Sequence, residues 1–215
     1  MRILVFILSI LFVFACNSKK EKVEKKDPVV EVRSRGDSIL LTDSSWGWVR
    51  ATDNIDSLKK IFGDSLVKDE RICGAECMDS VDVTFVYPNS VKEFVVYWND
   101  SAYHKSIAFI RSYTANSPYH TVEGIKLGTT LKEVLQLNGK PITFSGFGWD
   151  YGGGVGSLNG GKLERSNIKF NLDLPDNPGG DESVYGDTEL NTDMPSVKKL
   201  LDKILVSEFF LSFAK

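Results

Sequence analysis

The chain has 215 residues, of which 26 are Lys or Arg and 29 are Asp or Glu, and 42% are hydrophobic. The acidic surplus lies beyond residue 36, where 18 basic residues face 25 acidic ones and the net charge is −7. Such a surface repels phosphate backbones and no basic stripe offsets it, so we expect no nucleic-acid partner.

The first 15 residues have the pattern of a secretory signal peptide. Arg2 supplies a positive charge, and residues 3–14 form an apolar run interrupted only by Ser9. A run of about 12 residues is well short of the ~20 that a helix needs to span a bilayer. The stretch Val13-Phe14-Ala15-Cys16 resembles a lipobox, in which the cysteine is acylated after cleavage. The alternative is an ordinary signal peptide with an incidental cysteine.

Residues 16–36 are predicted to be a lipidated cysteine followed by a flexible tether. From residue 17 this segment carries seven Lys or Arg against four acidic residues and no aromatic residue, so it cannot bury enough surface to fold. Asn17 differs from the aspartate that is linked with inner-membrane retention in enteric bacteria. We therefore expect lipid on Cys16 to hold the protein at the outer membrane, facing the periplasm. The basic side chains are read as part of a plain linker, with contact to anionic head groups as the alternative.

Two segments with the same apolar spacing predict two short amphipathic helices. Aligned on their final glycines, residues 52–63 and 128–139 place apolar side chains at i, i+3 and i+6, with a shift of 76 residues. Asp, Asn or Thr precedes each helix as an N-cap, and glycine follows each one. The match predicts a tandem duplication, with the first repeat at 37–120 and the second at 121–215. Chance similarity between two generic helices is the alternative.

Runs rich in β-branched and aromatic residues predict strands around these helices. They lie at 81–87, 94–98 and 107–113 after the first helix, and at 141–147 and 163–174 after the second. The C-terminal region predicts a short helix at 196–203 and a strand at 204–213, with an extended helix as the alternative. The expected architecture is α+β, with short helices packed on antiparallel sheet in two tandem repeats.

A family resemblance is carried by the pattern GxTxxxVxxLxGxP at residues 128–141. It resembles the opening motif of the small outer-membrane lipoproteins that assist β-barrel assembly, and it is similar to the tandem-repeat fold of the β-lactamase inhibitor protein. The strings GIKLGTTLKEVLQLNGKP and GFGWDYGGG further resemble uncharacterised lipoproteins of gram-negative bacteria. The match covers about 30 of the 215 residues. It implies helices packed on small antiparallel sheets and a non-catalytic role in binding proteins.

The most unusual composition lies in the glycine-rich and aromatic segment at residues 144–154. Its glycines permit close backbone approach, and its aromatic rings offer large faces with polar groups. Phe147, Trp149, Asp150 and Tyr151 are the candidate binding patch for a sugar, a peptide strand or a partner protein. The other interpretation is a loop whose aromatic side chains cap the edge of a sheet. Neither phosphate-binding glycine pattern, GxxxxGK[ST] or GxGxxG before a helix, occurs here.

The cysteines and histidines indicate neither a metal site nor a cofactor. Cys73 and Cys77 are the cysteines left after Cys16, and an oxidising exported compartment predicts a short-range disulfide between them. Their CxxxC spacing is not the CxxC of redox enzymes, and His104 and His120 are not spaced to complete a set of four metal ligands.

No nucleophile motif surrounds either histidine, so we expect a role without catalysis. The sequence predicts a membrane-anchored envelope lipoprotein that binds or scaffolds other proteins. A carbohydrate-binding or peptidoglycan-binding module that uses residues 144–154 is the alternative, and a hydrolase of envelope polymers is a more distant third.

Overall fold

The computed structural model describes residues 36–73, 79–100, 102–175 and 182–213. Cys16, almost all of the tether and Cys77 lie outside these ranges, so the lipid anchor and the disulfide stay predictions. Within the described ranges, no helix is long and apolar enough to cross a membrane.

The described part of the chain contains three α-helices and thirteen β-strands. The helices are α1 Ile55–Phe62, α2 Leu131–Asn138 and α3 Pro195–Lys198. The strands are β1 Leu40–Thr42, β2 Ser45–Trp46, β3 Val49–Arg50, β4 Val67–Cys73, β5 Ser80–Val86, β6 Phe94–Trp98, β7 Ile107–Ser112, β8 His120–Thr121, β9 Thr143–Ser145, β10 Val155–Ser157, β11 Ile168–Asp173, β12 Glu189–Asn191 and β13 Leu205–Ser212. The predicted α+β class is confirmed.

A six-stranded antiparallel sheet dominates the fold, with the strand order β11-β13-β7-β6-β5-β4. Strands β4 to β7 follow one another as a meander. The C-terminal strand β13 then lies between β7 and β11, so it joins the two halves of the chain in one sheet. The C-terminal run is therefore a strand and does not extend a helix.

Two smaller sheets complete the structure. One has the order β3-β2-β1-β8, in which β1 and β8 run parallel, and the other has the order β10-β9-β12 and is antiparallel. An isolated bridge between Gly154 and Asn171 connects the second small sheet to β11. Residues of all three sheets contribute to one hydrophobic core.

Helices α1 and α2 begin and end where their local sequence predicts. The side chain of Asn54 accepts a hydrogen bond from the Ser57 amide at the start of α1. Thr130 and Glu133 form a reciprocal capping box at the start of α2. Each helix ends at a glycine, and Gly139 adopts a left-handed conformation with φ 72°.

The predicted duplication is not confirmed, and the strands after the two helices are arranged differently. Helix α1 leads into β4, the first strand of the meander, whereas α2 leads into β9 of the three-stranded sheet. The two helices therefore share their length and the positions of their capping residues, but the elements that follow them differ.

Replacing Thr130 with alanine should lower the free energy of unfolding by about 1 kcal/mol, because the Glu133 amide loses its side-chain acceptor. Hydrogen bonds from the Thr130 backbone and hydroxyl lower the pKa of Glu133. The stabilisation that follows from this lowered pKa is present above the unfolded pKa of Glu133, and it is lost as the pH falls through the folded pKa. Urea unfolding at pH 7 measures the loss. Thr130→Ser keeps the acceptor, and equal losses in both variants would contradict the capping role.

The main core lies between the helices and one face of the six-stranded sheet, called here the inner face. Phe94, Ile110 and Phe209 on adjacent strands of this face are buried in the core. The ring of Phe62 from α1 meets that of Phe94 edge-on, with 5.9 Å between centroids. Helix α1 and strand β2, whose Trp46 ring lies 5.9 Å from that of Phe94, therefore cover this part of the inner face, and the opposite face is left for other contacts.

Candidate functional site

The opposite face of the six-stranded sheet carries a second apolar surface. Side chains alternate between the two faces of a strand, so the residues between the inner-face positions point to the other side. We call the following six the outer aromatic face: Val83, Phe85, Val95, Tyr97, Phe109 and Phe210. None of them belongs to the main core or packs against it. Their four aromatic rings are half-buried.

Strand register makes the outer aromatic face continuous. In one row, Phe85 pairs with Val95, Val95 with Arg111 and Arg111 with Phe210. In the next row Val83 pairs with Tyr97, and Tyr97 with Phe109. The rings of Tyr97 and Phe109 are stacked, with 4.2 Å between centroids and 13° between planes. Cross-strand pairs of this kind hold the face in one arrangement across four strands.

A charged pair is set into this apolar surface. The Arg111 Nε donates a hydrogen bond to the Glu208 carboxylate, and the Asn171 amide donates to its other oxygen at 3.0 Å. The Arg111 guanidinium lies 5.2 Å from the ring centroid of Tyr113 and 5.5 Å from that of Phe210. Both carboxylate oxygens therefore have donors, and the guanidinium lies against two rings.

Burial and the charge of the partner have opposite effects on the pKa of each member of this pair. Burial raises the pKa of Glu208, and the hydrogen bonds and charge that it receives offset only part of the rise. Burial lowers the pKa of Arg111, but the carboxylate of Glu208 outweighs it, so the pKa is raised. Perturbed, partly buried charges of this kind are concentrated at functional sites, although structural ion pairs also show them.

A cavity of about 320 Å³ opens at the end of the outer aromatic face. Its lining includes Tyr113, Leu127, Asp173, Leu205, Val206 and Ser207. Strand β13 bulges here, since Asn171 pairs with Glu208 but Leu172 pairs with Val206, which leaves Ser207 without a partner on β11. Bulges often lie beside functional sites, where they redirect a side chain. The volume falls within the range of small-ligand sites.

The residues of the predicted patch at 144–154 lie in different environments. Phe147 is 3% exposed and belongs to the core. Trp149 is half-buried, and its indole N–H donates to the Gly146 carbonyl at 2.9 Å. Asp150 is exposed, and Tyr151 is 69% exposed with its ring edge-on to Trp149 at 5.3 Å. The structure thus brings Trp149 and Tyr151 together and leaves Phe147 in the interior.

Replacing Tyr151 with alanine should change the free energy of unfolding by less than about 0.5 kcal/mol, because most of its ring is in solvent. Phe147→Leu, in the same segment, should cost about 1 kcal/mol through imperfect packing. Urea unfolding of both variants measures the difference. A larger loss from the tyrosine substitution would show that Tyr151 is a structural residue.

Neither His104 nor His120 is placed beside a candidate nucleophile in the part of the chain that the structure describes. His104 is stacked on Trp98, with 5.0 Å between ring centroids, and its Nδ1 lies 3.5 Å from the Asp69 carboxylate. The hydroxyl of Thr84 donates to that carboxylate and accepts from the Trp98 indole. Among the described residues, no hydrogen bond joins the Thr84 hydroxyl to the His104 imidazole, so the two are not arranged as a nucleophile and its base. His120 contacts the Thr121 carbonyl at 3.0 Å.

Cys73 ends β4, and its predicted partner Cys77 lies outside the described ranges. In the part of the chain that the structure describes, no three His, Cys, Asp or Glu side chains cluster as metal ligands would.

Reasoning from the sequence named none of the outer aromatic face as a functional surface. The signal was present in β6, whose run FVVYW is apolar on both faces. A strand with one solvated face alternates apolar and polar residues. Two apolar faces therefore indicate a second buried or contacted surface.

Comparisons with known proteins give no family. No family model matches the sequence, and no curated protein matches it. Among solved structures, the chain is similar to the uncharacterized protein yfeY from Escherichia coli, with 14% sequence identity and a TM-score of 0.47. That similarity covers 80% of this chain and 98% of the other.

Proposed function

We propose that this protein is a membrane-anchored lipoprotein of the cell envelope that binds another protein, without catalysis, through the outer aromatic face. The observation that carries the proposal is a set of four half-buried aromatic rings, packed with the buried Val83 and Val95, across four strands outside the main core. Contiguous apolar surface of this kind marks interaction sites in soluble domains.

The composition of the outer aromatic face also fits a protein interface. Interfaces are enriched in aromatic residues and arginine at their centre and are polar at their rim. Here Arg111 lies between apolar neighbours, while exposed lysines lie at the two ends of the same row. Lys68 pairs with Phe85 at one end, and Lys169 pairs with Phe210 at the other.

The predicted lipid on Cys16 limits where such a partner lies. A tether of about 20 residues reaches roughly 25 Å as a flexible coil. The partner is therefore expected close to the membrane surface, on the periplasmic side of the outer membrane.

Site-specific photo-crosslinking in the host tests the proposal. A benzoyl-phenylalanine at position 85 or 109 should form a light-dependent adduct with another protein. The same group at position 103 is the control, because Tyr103 is exposed but lies outside this surface. Absence of any adduct from both face positions, with the protein folded and exported, would overturn the proposal.

A carbohydrate-binding role is the second candidate, and the exposed ring of Tyr151 favours it. Sugars stack on exposed aromatic faces, and the neighbouring Asp150 carboxylate is exposed as a hydrogen-bond acceptor. Co-sedimentation with purified peptidoglycan tests this role. Binding that is lost in Tyr151→Ala and kept in Phe109→Ala would favour it, whereas absence of co-sedimentation would exclude a peptidoglycan ligand.

A further inference from the structure

The cavity beside the outer aromatic face has one charged side chain in its described lining, Asp173. This residue ends β11, and its Oδ1 accepts a hydrogen bond from the Leu174 amide at 2.8 Å. Among the described side chains, no Lys, Arg or His forms an ion pair with it. The nearby guanidinium of Arg111 is paired with Glu208. The residues that the structure describes therefore supply no cation to this carboxylate.

The other walls of the cavity suit a long aliphatic stem. Leu127 and Leu205, which are half-buried, provide apolar surface, and Tyr113 provides an aromatic ring that is 49% exposed. Lysine and arginine bury their methylene groups against such walls while the charged end keeps polar contacts. The Ser207 side chain, at the bulge, offers a further hydrogen-bonding group.

A neutral apolar occupant fits this cavity less well. It would remove water from the Asp173 carboxylate without replacing the lost hydrogen bonds, and burying an unpaired charge is costly. A cation compensates that cost by direct pairing. The net charge of −7 beyond residue 36 also attracts a basic partner over longer distances.

We infer that the protein partner inserts a lysine or arginine side chain into this cavity, with its charge on Asp173 and its stem against Leu127 and Leu205. This inference rests on the proposed protein-binding function and specifies the chemistry of the partner. The outer aromatic face then contacts apolar residues beside that basic side chain, so the cavity selects which apolar surface binds.

Binding of small probes to the full-length lipoprotein in detergent micelles tests the inference. The probes are N-acetyl-lysine methylamide and its neutral counterpart N-acetyl-norleucine methylamide, followed through the amide NMR signals of residues 206 and 207. We expect the lysine probe to bind at least fivefold more tightly. Asp173→Asn and Tyr113→Ala should each weaken it severalfold, whereas Asp187→Asn, an exposed acid outside the lining, should leave it unchanged.

Equal binding of the two probes, or unchanged lysine binding in Asp173→Asn, would overturn the inference. If light-dependent adducts from positions 85 and 109 persist in that case, the protein-binding function stands and only the basic side chain is wrong. If the adducts are absent, the proposed function itself fails.

Discussion

Replacing Gly153 with alanine is expected to lower the free energy of unfolding by roughly 3 kcal/mol or more. Gly153 has φ +73°, and a Cβ at this position would lie 1.7 Å from the Leu172 carbonyl oxygen. The left-handed conformation alone costs an L-residue about 1–2 kcal/mol. The clash adds to this cost because its partner is backbone, which no side-chain rotation can move away.

The close approach at Gly153 joins two sheets. Its amide donates to the Ser145 carbonyl at 3.1 Å, and its carbonyl accepts from the Leu172 amide at 2.9 Å. An added methyl group therefore forces apart β11 of the large sheet and the small sheet that contains β9. The loss should appear in the cooperative unfolding of the whole domain.

Urea unfolding of Gly153→Ala is best compared with Gly160→Ala. Gly160 has φ +70°, but a Cβ there would meet nothing within 4 Å. This control should lose only about 1 kcal/mol, the cost of the backbone conformation. Similar losses in the two variants would show that the sheets separate without penalty.

Replacing Glu208 with alanine is expected to lower the free energy of unfolding by about 2 kcal/mol at pH 7, because Arg111 and Asn171 both lose their acceptor. Glu208→Gln keeps the shape of the side chain and an acceptor oxygen while it removes the charge. It should therefore cost less than the alanine substitution. Equal losses would show that the hydrogen bonds contribute nothing to stability.

The raised pKa of Glu208 also predicts how the stability difference between wild type and Glu208→Gln changes with pH. Burial raises the pKa of Glu208 in the folded protein. The stabilisation that follows from this raised pKa is fully present below the unfolded pKa of about 4.3, and it is lost as the pH rises through the folded pKa. Glu208→Gln does not titrate. Between pH 4 and pH 7, wild type should lose stability relative to this variant. A constant difference, or one of opposite sign, would contradict the role of burial.

The bounds of α1 and α2 were predictable because their signals are local. Asn54 and Thr130 accept hydrogen bonds from amides three residues later, and Gly63 and Gly139 end the helices within one turn of the last apolar residue. Each signal acts over a few residues, so no tertiary contact is needed to recognise it.

The strands were predictable only where their own side chains carry the pattern. Strand β6 has the predicted bounds, because an apolar run lies between polar turns. The sequence does not predict strand β4, since its run VKDERIC is mostly charged. It forms because its backbone pairs with β5 and the Arg71 guanidinium donates to both oxygens of Asp82. Asp82 lies 11 residues further along the chain, beyond the few residues over which a capping signal acts.

Of the candidate sites, one is recognisable from the sequence and the other is not. The sequence identified the unusual segment at 144–154, but composition does not distinguish the buried ring of Phe147 from the exposed ring of Tyr151. It did not identify the outer aromatic face. That surface exists because β13 pairs with β7, which places Phe210 beside Arg111 although the two residues are 99 positions apart in the chain.

The sequence by itself determined the α+β class and the two capped helices, and it predicts the lipid anchor at Cys16, because these depend on composition and on patterns within one segment. Only the tertiary structure decided which strands are neighbours and which faces are left outside the core. Strand order depends on the free energy of the whole packed arrangement. The insertion of β13 between β7 and β11 therefore produced the outer aromatic face and the cavity with Asp173.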